Sequence, residues 1–319
     1  MHEFELIKNY LQKLSKKTQG SLNLNDDIFF DKKNKLVVSL DTYIEGNHFV
    51  DFKKPDLVIK KIIRSSISDL ICKGVYPKYY FISASGNKKK FSKSNLLKIS
   101  RSLNEEQNKY NIKLGGGDTV FSNKLSFTIT SIGFAQDIVY RNKAKIGDDI
   151  YVTGNIGDSY LGLLVLKNKI KIINSQKKYF IKQYYMPNIK ILLSNIIKNF
   201  ANSSIDISDG LFADLDKMLN NQKLSYQIFV DKIPISKKLK HILDAKKLLK
   251  KNYISHGDDY QILFTASKSK NKIIRDMSRK SNLRITKIGT IFKNRVKSRI
   301  VDHNNALINL KNKGYFHNF

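Results

Sequence analysis

Six aspartates lie at or beside the ends of apolar segments, next to glycine, serine or threonine, in a chain whose formal net charge is +31. Exposed carboxylates of such a basic chain would be expected on helix faces, among the lysines. Strand ends and loop starts are instead the places where a rigid scaffold presents functional groups. The six residues are Asp27, Asp41, Asp69, Asp118, Asp206 and Asp209. The pattern suggests a fold that brings distant segments of the chain together.

A cluster of these carboxylates would require bound cations. Two like charges about 4 Å apart repel each other by roughly 4 kcal/mol at an effective dielectric near 20. Magnesium prefers oxygen ligands and is the hard cation that accompanies phosphates in proteins. The sequence therefore predicts a metal–nucleotide site.

The length of 319 residues fits two domains, each with its own core. A hydrophobic content of 41% and an aromatic content of 11% are typical of globular proteins. The single cysteine, Cys72, excludes an internal disulfide and a multi-cysteine zinc site. The first residues include two acids and form no signal-like apolar segment, and no run approaches the roughly 18 apolar residues of a membrane span. We expect a cytoplasmic protein without membrane association.

Lysine is spread over nearly every segment, together with abundant asparagine and isoleucine. Tracts such as Lys88–Lys90 are short and are not interleaved with aromatic residues. We therefore expect no nucleic-acid partner, and a basic RNA-associated protein remains the alternative from a different class. The positive field would favour the approach of polyphosphate substrates.

Hydrophobic periodicity predicts an α+β fold with two domains, residues 1–140 and residues 141–319. Predicted helices cover residues 4–16, 55–74, 92–110, 159–166, 189–199 and 210–219. Predicted strands cover residues 28–30, 36–40, 79–84, 112–114, 125–135, 150–153, 226–230, 261–265 and 285–291, with one more near Ile205.

A run of three glycines, Gly115–Gly117, precedes Asp118 after a short apolar strand. Glycine lets backbone N–H groups approach an anion closely, and Asp118 would then supply a metal ligand beside phosphates. A tight turn closed by the aspartate explains the same residues. Because the Lys-Ser/Thr of a phosphate-binding P-loop is missing from the segment, both interpretations stay open.

The segment Asp206-Ile207-Ser208-Asp209-Gly210 joins a predicted strand to a predicted helix. Ser208 would either cap the helix or bind a phosphate, since helix N-termini attract anions. Capping by Ser208 or Asp209 is the simpler explanation. It does not account for an acid at the end of a buried strand, so Asp206 favours a functional role.

Three further residues are candidates. Asp69 lies inside the apolar stretch Ile67–Ile71, and a buried charge needs a partner. Arg141 either forms a salt bridge between the domains or clamps a phosphate with its fork of donors. His48 follows the second strand, although a lone histidine is usually structural.

The order of these motifs resembles that of the thiamine-monophosphate kinase family, within the aminoimidazole ribonucleotide synthetase-like superfamily. The matching segments are Glu3-Phe4-Glu5-Leu6-Ile7, Asp26-Asp27, Ser39-Leu40-Asp41-Thr42, Glu45-Gly46-Asn47-His48-Phe49, Ser68-Asp69-Leu70, Gly116-Gly117-Asp118-Thr119, Arg141, Lys145-Ile146-Gly147-Asp148, Val152-Thr153-Gly154, Asp206-Ile207-Ser208-Asp209-Gly210-Leu211, Gly257-Asp258-Asp259-Tyr260 and Gly314-Tyr315-Phe316-His317. The similarity therefore extends from end to end.

The resemblance implies ATP-dependent phosphorylation of thiamine monophosphate to thiamine diphosphate, with Mg²⁺. It also implies an N-terminal α/β domain that forms a homodimer through its mixed sheet, followed by an α+β C-terminal domain. The implied magnesium ligands are Asp27, Ser39, Leu40, Asp41, Asp69, Asp118, Asp206 and Asp209, of which Asp118 and Asp209 are the candidate catalytic residues. The implied ATP contacts are Tyr110, Gly117, Asp118, Arg141 and Ser208. The implied contacts to thiamine monophosphate are His48, Asp258 and Tyr315.

The chain departs from the family pattern at four of these positions. Asn25 replaces a usual Gly, and Leu40 replaces a usual Thr, which leaves only a carbonyl oxygen as a ligand there. Asp258 replaces a usual Glu, and Tyr315 replaces a frequent Trp while keeping an aromatic face for a cationic ring. All six aspartates are retained.

We expect direct in-line transfer without a phosphoenzyme. The acceptor is a phosphate oxygen that is already largely ionised at neutral pH, so positioning and charge neutralisation matter most. A purine-type amidine synthetase of the same superfamily is the alternative enzyme. The segments around His48 and Tyr315 argue against it.

Overall fold

The computed structural model describes residues 3–294 and 297–315, and in this part of the chain two mixed β-sheets combine with eleven α-helices. The strands are β1 (Ile28–Asp31), β2 (Leu36–Ile44), β3 (Pro77–Gly86), β4 (Lys113–Phe121), β5 (Ser126–Phe134), β6 (Asp149–Thr153), β7 (Ser203–Asp206), β8 (Leu224–Phe229), β9 (Ile262–Ala266), β10 (Ile285–Lys293) and β11 (Arg299–Val301). The helices are α1 (Glu3–Leu6), α2 (Gln12–Ser15), α3 (Pro55–Cys72), α4 (Lys93–Tyr110), α5 (Asp158–Leu166), α6 (Asn174–Tyr185), α7 (Leu193–Ile196), α8 (Leu211–Met218), α9 (Lys237–Ala245), α10 (Lys251–Ile254) and α11 (Asn271–Lys280). The predicted α+β class is confirmed.

The first sheet has the strand order β1-β2-β5-β3-β4, and β3 and β4 are its parallel pair. Helices α3 and α4 lie against one face. Pro55 begins α3, where the missing N–H of proline costs little. Ser92 caps α4, because its hydroxyl accepts a hydrogen bond from the N–H of Asn95. Apolar side chains of α3, among them Ile59 and Ile62, fill the space beneath the sheet.

The opposite face of the first sheet is largely apolar and exposed. Leu40, Phe81, Val120 and Phe134 expose between 38% and 64% of their surface there. These side chains come from four different strands, so the exposed apolar surface extends across most of the sheet. We call it the outer sheet face. Extended apolar surfaces of this kind are typical of interaction sites.

Strand β4 differs from its prediction. The prediction of a short buried strand at residues 112–114 is wrong. Strand β4 continues to Phe121, and it lies at the exposed edge of the sheet. A register shift against β3 leaves Gly115 as the extra residue of a β-bulge. A Cβ atom on Gly117 would lie 1.8 Å from the carbonyl oxygen of Ile82. The glycines thus permit close strand pairing, and the tight turn considered for them is not observed.

The second sheet has the order β11-β8-β10-β6-β9-β7 and contains residues from 149 to 301. Strands β6 and β9 are buried along their whole length, which explains their continuous apolar sequences. Helix α8 packs on one face with Leu211 and Leu215, and Ile274 of α11 packs on the other. None of the described helices is both long and apolar enough to cross a membrane.

Several helices were not predicted. The helix predicted at residues 189–199 is shorter than expected, with α7 at Leu193–Ile196 and a 3₁₀ turn at Ile197–Asn199. Helices α6, α9 and α11 are rich in basic residues. These residues interrupt the apolar positions, so the helical periodicity was overlooked in the sequence. The helix predicted at residues 4–16 is present as α1 and α2, with a π-helical turn between them.

A buried ion pair joins α3 to α4. The Nε of Arg64 lies 2.8 Å from one carboxylate oxygen of Glu106, and Nη2 lies 2.8 Å from the other. Nη1 of Arg64 also donates to the carbonyl oxygen of Pro187, which belongs to the segment after α6. The arginine therefore connects the helices of the first sheet to the second half of the chain.

Glu106→Gln is expected to lower the free energy of unfolding by about 3 kcal/mol, because the buried guanidinium loses its counter-charge. Glu105 provides a matched control on the same helix, since its carboxylate pairs with Lys60 at a distance of 2.6 Å but is half-exposed. Glu105→Gln should cost less than about 1 kcal/mol. Urea denaturation of both variants checks this, and equal losses would contradict it.

Candidate metal and nucleotide site where the two sheets meet

The C-terminal end of α3 lies against β7, the edge strand of the second sheet. The Nζ of Lys73 donates to the carbonyl oxygen of Ser204, and the hydroxyl of Ser204 donates to that of Cys72. Both Lys73 and Ser204 are fully buried. This contact brings Asp69, one turn before the end of α3, close to Asp206 at the end of β7.

Three aspartates from distant segments converge at this contact. Asp27, Asp69 and Asp206 each offer a carboxylate oxygen, and these oxygens all lie within 4.8 Å of one another. Asp69 and Asp206 are buried, whereas Asp27 is exposed. Both carboxylate oxygens of Asp206 are buried without a hydrogen-bond partner in the described structure. Because a buried carboxylate without partners is costly, the arrangement fits a bound cation.

Asp41 and Asp209 lie beside this cluster, as their electrostatic effects show. Burial raises the pKa of Asp41 to about 6, and the charges of Asp206 and Asp209 add to the effect. Burial also raises the pKa of Asp69 well above its usual range, with Asp41 and Asp206 contributing. The pKa of Asp206 is raised by burial, although the nearby side chain of Ser68 and the surrounding cations oppose the shift. Five of the six predicted aspartates are therefore assembled.

Two buried cations of the chain balance part of this negative charge. Lys73 is completely buried, and its Nζ lies 2.8 Å from Asp26, the neighbour of Asp27. Arg141 contacts Asp27 directly, and its backbone N–H donates to Asp26. The electrostatic attraction of these residues compensates for only a part of the cluster, since Asp206 has no direct ion pair among the described residues.

The turn at residues 206–210 has no conventional cap. Neither Ser208 nor Asp209 caps α8, because the cap position is occupied by Gly210. The backbone N–H groups of Asp209 and Gly210 instead donate to Asp214, which lies inside the helix. Ordinary capping therefore does not explain why serine and aspartate stand at positions 208 and 209, and their side chains remain candidates for phosphate and metal.

Two of the three predicted substrate residues are connected through Lys61, a buried lysine of α3. Its Nζ lies 2.5 Å from the carboxylate of Asp258 and 4.0 Å from the centre of the Tyr184 ring. The hydroxyl of Tyr184 donates to the carbonyl oxygen of His48. Tyr260 also donates to Asp258, at 3.3 Å. His48 and Asp258 are therefore linked through Lys61 and Tyr184, which come from both halves of the chain.

Tyr315 and Asp258 both approach the aspartate turn. The N–H of Tyr315 donates to the carbonyl oxygen of Asp209, and the N–H of Asp258 donates to that of Ser208. Asp258 adopts a positive φ of 68°, an unusual conformation that these contacts hold in place. Phe316 and His317 of the tail motif lie outside the described residues.

The side chains of three other predicted residues are engaged elsewhere or point away from the cluster. Ser39 is buried and donates to the carbonyl oxygen of Ser66, so its hydroxyl is already used. Leu40 points to the outer sheet face. Tyr110 is buried at the end of α4, where its carbonyl oxygen accepts a hydrogen bond from Tyr76. The structure does not place Tyr110 among the five assembled aspartates.

Asp118 also lies apart from the other five aspartates. In the first sheet it pairs with Ser83, which pairs with Thr128, which pairs with Thr42 of β2. Paired residues share a face, and Thr42 and Thr128 are hydrogen-bonded there. Neighbouring Asp41 points to the opposite face, where Tyr43 donates to it. Asp118 is therefore on the outer sheet face, three strand spacings or roughly 14 Å from β2.

Sequence reasoning missed several residues of the site. Asp214, Lys217, Lys61 and Lys73 were not singled out, and each is buried or nearly buried around the aspartates. Asp214 offered a usable signal, because it is an acid within the apolar first turns of α8. The three lysines offered no such signal, because the chain contains 58 lysine and arginine residues.

Comparison with known proteins identifies relatives over nearly the whole chain. Residues 25–135 match the N-terminal domain of AIR synthase related protein, and residues 145–302 match its C-terminal domain. Thiamine-monophosphate kinase of Buchnera aphidicola (subsp. Acyrthosiphon pisum) is 35% identical, over 99% of this chain and 98% of that one. The Escherichia coli K12 protein of the same name is 32% identical over 82% of each chain.

Solved structures show the same architecture. Thiamine monophosphate kinase from Aquifex aeolicus aligns with a TM-score of 0.80 at 26% identity, covering 97% of this chain and 99% of that one. The structure of AaThiL complexed with AMPPCP and TMP aligns with a TM-score of 0.85 at 26% identity, over 99% and 97% of the two chains.

Proposed function

The chain belongs to the thiamine-monophosphate kinases of the AIR synthase related family, and we propose that it transfers the γ-phosphate of ATP to thiamine monophosphate, giving ADP and thiamine diphosphate. The observation that carries this proposal is the convergence of Asp27, Asp69 and Asp206, with both carboxylate oxygens of Asp206 lacking partners. The curated relatives reported above are kinases rather than amidine synthetases, which favours the kinase. A cytoplasmic location is part of the proposal, since ATP is the donor.

Magnesium fits the residues at this site. The available ligands are carboxylate oxygens, which Mg²⁺ prefers, and the buried oxygens of Asp206 need a positive partner. Asp27, Asp41, Asp69, Asp206 and Asp209 would hold the metal. When bound there, Mg²⁺ supplies positive charge that neutralises phosphate oxygens.

The chain's own residues bind and orient the two substrates. Arg141, which contacts Asp27, has the planar fork of donors that suits a phosphate and lies at the edge of the cluster. Ser208, two residues before the Gly210 cap of α8, would donate to a phosphate of ATP. A phosphate acceptor is already ionised at neutral pH, so in-line transfer requires alignment rather than a general base. We infer no phosphoenzyme.

His48 is suited to donate a hydrogen bond to the acceptor. Its Nδ1 accepts a hydrogen bond from the N–H of Ile44 at 3.0 Å, which leaves the proton on Nε2 in the neutral ring. Asp258 and the face of Tyr315 would contact the cationic part of thiamine monophosphate. Lys61 fixes the carboxylate of Asp258, since it is almost completely buried against it.

His48→Phe is expected to raise KM for thiamine monophosphate about tenfold and to change KM for ATP less than twofold. One hydrogen bond to a charged phosphate contributes about 1.5 kcal/mol, which corresponds to that factor. His303→Phe, at an exposed position beside Asp231, is the matched control and should leave both constants unchanged. Steady-state kinetics test this, and an equal rise in both KM values would contradict the assignment.

The outer sheet face supports a homodimer. Its four exposed apolar side chains come from neighbouring strands and would be covered by a second copy of the chain. Asp118 lies on this face and cannot reach the other aspartates of its own chain. Asp118 acts as a metal ligand, and Gly117 as an ATP contact, only if a dimer brings them to the partner's cluster.

The proposed function is tested by ADP release in a coupled assay with Mg²⁺-ATP. Thiamine monophosphate, thiamine and hydroxymethylpyrimidine phosphate serve as alternative acceptors. We expect turnover with thiamine monophosphate alone, and thiamine diphosphate as the product by chromatography. ADP release without any acceptor, or only with another acceptor, would refute the assignment.

A further inference from the structure

Asp214 holds the turn that carries Asp209, although it lies in the helix that follows. It is fully buried, and its Oδ2 accepts hydrogen bonds from the N–H of Asp209 at 3.0 Å and of Gly210 at 2.9 Å. Two of the backbone donors at the start of α8 are therefore satisfied by one carboxylate oxygen. The position of Asp209 is fixed through its own main chain.

Lys217 joins the same group from one turn further along α8. Its Nζ contacts the carboxylate of Asp209 and lies 3.4 Å from Oδ1 of Asp214. The side chain of Lys217 is 17% exposed, so the ammonium is largely withdrawn from water. Asp209 is thus held twice by this pair, at its N–H by Asp214 and at its carboxylate by Lys217.

The packing around Gly210 explains why the anchor comes from inside the helix. Gly210 occupies the cap position with a φ of +142°, and a Cβ atom there would lie 2.5 Å from the carbonyl oxygen of Ser255. The Cα of Gly314, in the tail, would lie 3.1 Å from it. A conventional capping side chain has no room at this position, because the segments that contain Ser255 and Gly314 pack directly on the turn.

We propose that Asp214 is a positioning residue for Asp209, with Lys217 as its counter-charge, so that the pair sets the affinity of the site for the divalent metal. This inference rests on the proposed function only in assigning Asp209 to the metal. A displacement of a ligand by about 1 Å is enough to cost a site much of its activity. Asp214 acts through Asp209 and needs no contact with substrate.

A capping residue that only stabilises α8 would behave differently from a positioning residue. Loss of a cap costs about 1 kcal/mol and lowers the melting temperature without changing metal affinity. Loss of a positioning residue weakens metal binding even where the protein is fully folded. Metal affinity, measured directly, separates the two roles.

The test compares Asp214→Asn with Asp216→Asn in the full-length protein. Asp216 lies on the same helix but is exposed and contacts Tyr226 and Lys313 instead. Titration calorimetry with Mg²⁺, and with Mn²⁺ as a second probe, is done without nucleotide or acceptor. We expect Asp214→Asn to weaken metal binding about tenfold or more, and Asp216→Asn to leave it unchanged within twofold.

Lys217→Gln keeps the inference testable if Asp214→Asn does not fold. It removes an ammonium that competes with the metal for the carboxylate of Asp209, so metal binding is expected to tighten several-fold. Wild-type metal affinity in folded Asp214→Asn or in Lys217→Gln would overturn the inference, whatever the melting temperatures. A wild-type protein that binds Mg²⁺ but does not phosphorylate thiamine monophosphate would refute the proposed function and leave this inference standing.

Discussion

Replacement of Asp206 by Asn is expected to lower turnover by at least about 100-fold and to raise the melting temperature of the metal-free protein by about 2–4 °C. The first effect follows because Asp206 is one of the three carboxylates whose oxygens lie within 4.8 Å of one another. The second follows because burial raises the pKa of Asp206, which means that the fold disfavours its charged form. A gain in stability together with a loss of function is typical of residues selected for activity.

The two effects of Asp206→Asn are measured by the coupled ADP assay and by thermal denaturation in EDTA. Added Mg²⁺ should stabilise the wild type by mass action and should stabilise the variant much less. Asp149→Asn is the matched control, because Asp149 is equally buried in the same sheet but pairs with Lys287. It aligns with Ala266 of β9, whereas Asp206 aligns with Ile262. Four residues, or roughly 13 Å, separate these positions.

Asp149→Asn should keep wild-type turnover within about twofold and should lower the stability, because Lys287 loses its partner. Comparable turnover in Asp206→Asn and Asp149→Asn would remove Asp206 from the site. A fall in the metal-free melting temperature of Asp206→Asn would show that the carboxylate is already well compensated by the cations around it.

The aspartate cluster could be predicted because its members interrupt apolar segments. Asp69 lies in a buried stretch of α3, and Asp206 ends a buried strand, so each was conspicuous as a charge where none is expected. The α+β class and most of the long elements followed from hydrophobic periodicity. These features are local, and a local pattern is what a single sequence records.

Other features of the site depend on three-dimensional contacts that no local pattern records. The glycine run before Asp118 is compatible with a loop or with a bulged strand, and only pairing with β3 decides between them. Tyr110 is apolar enough to be buried, and its ring lies beneath the guanidinium of Arg64, 5.7 Å from the Cζ atom, at the end of α4. Lys61 and Lys73 are two lysines among many, distinguished only by the carboxylates they meet.

The expected effect of replacing Asp118 on turnover differs between a single chain and the proposed dimer. In one chain it lies on the outer sheet face, away from Asp41 and its neighbours. Asp118→Asn is expected to reduce turnover by orders of magnitude only if a second copy brings this carboxylate to the cluster. A normal rate in Asp118→Asn, or a monomer by light scattering, would exclude it from the site.

A mixture of two inactive variants gives a sharper test of the same arrangement. Asp118→Asn keeps the cluster, and Asp206→Asn keeps the outer sheet face, so a mixed dimer with shared sites has one intact site out of two. Random exchange makes about half of the dimers mixed, and activity should recover to about a quarter of the wild-type value. Asp206→Asn mixed with Asp209→Asn is the matched control, because both residues belong to the same cluster of one chain and no intact site can form. Recovery in the first mixture alone would show that the site is completed by the partner. The absence of recovery, with exchange verified by co-purification of differently tagged chains, would contradict a site shared between two copies.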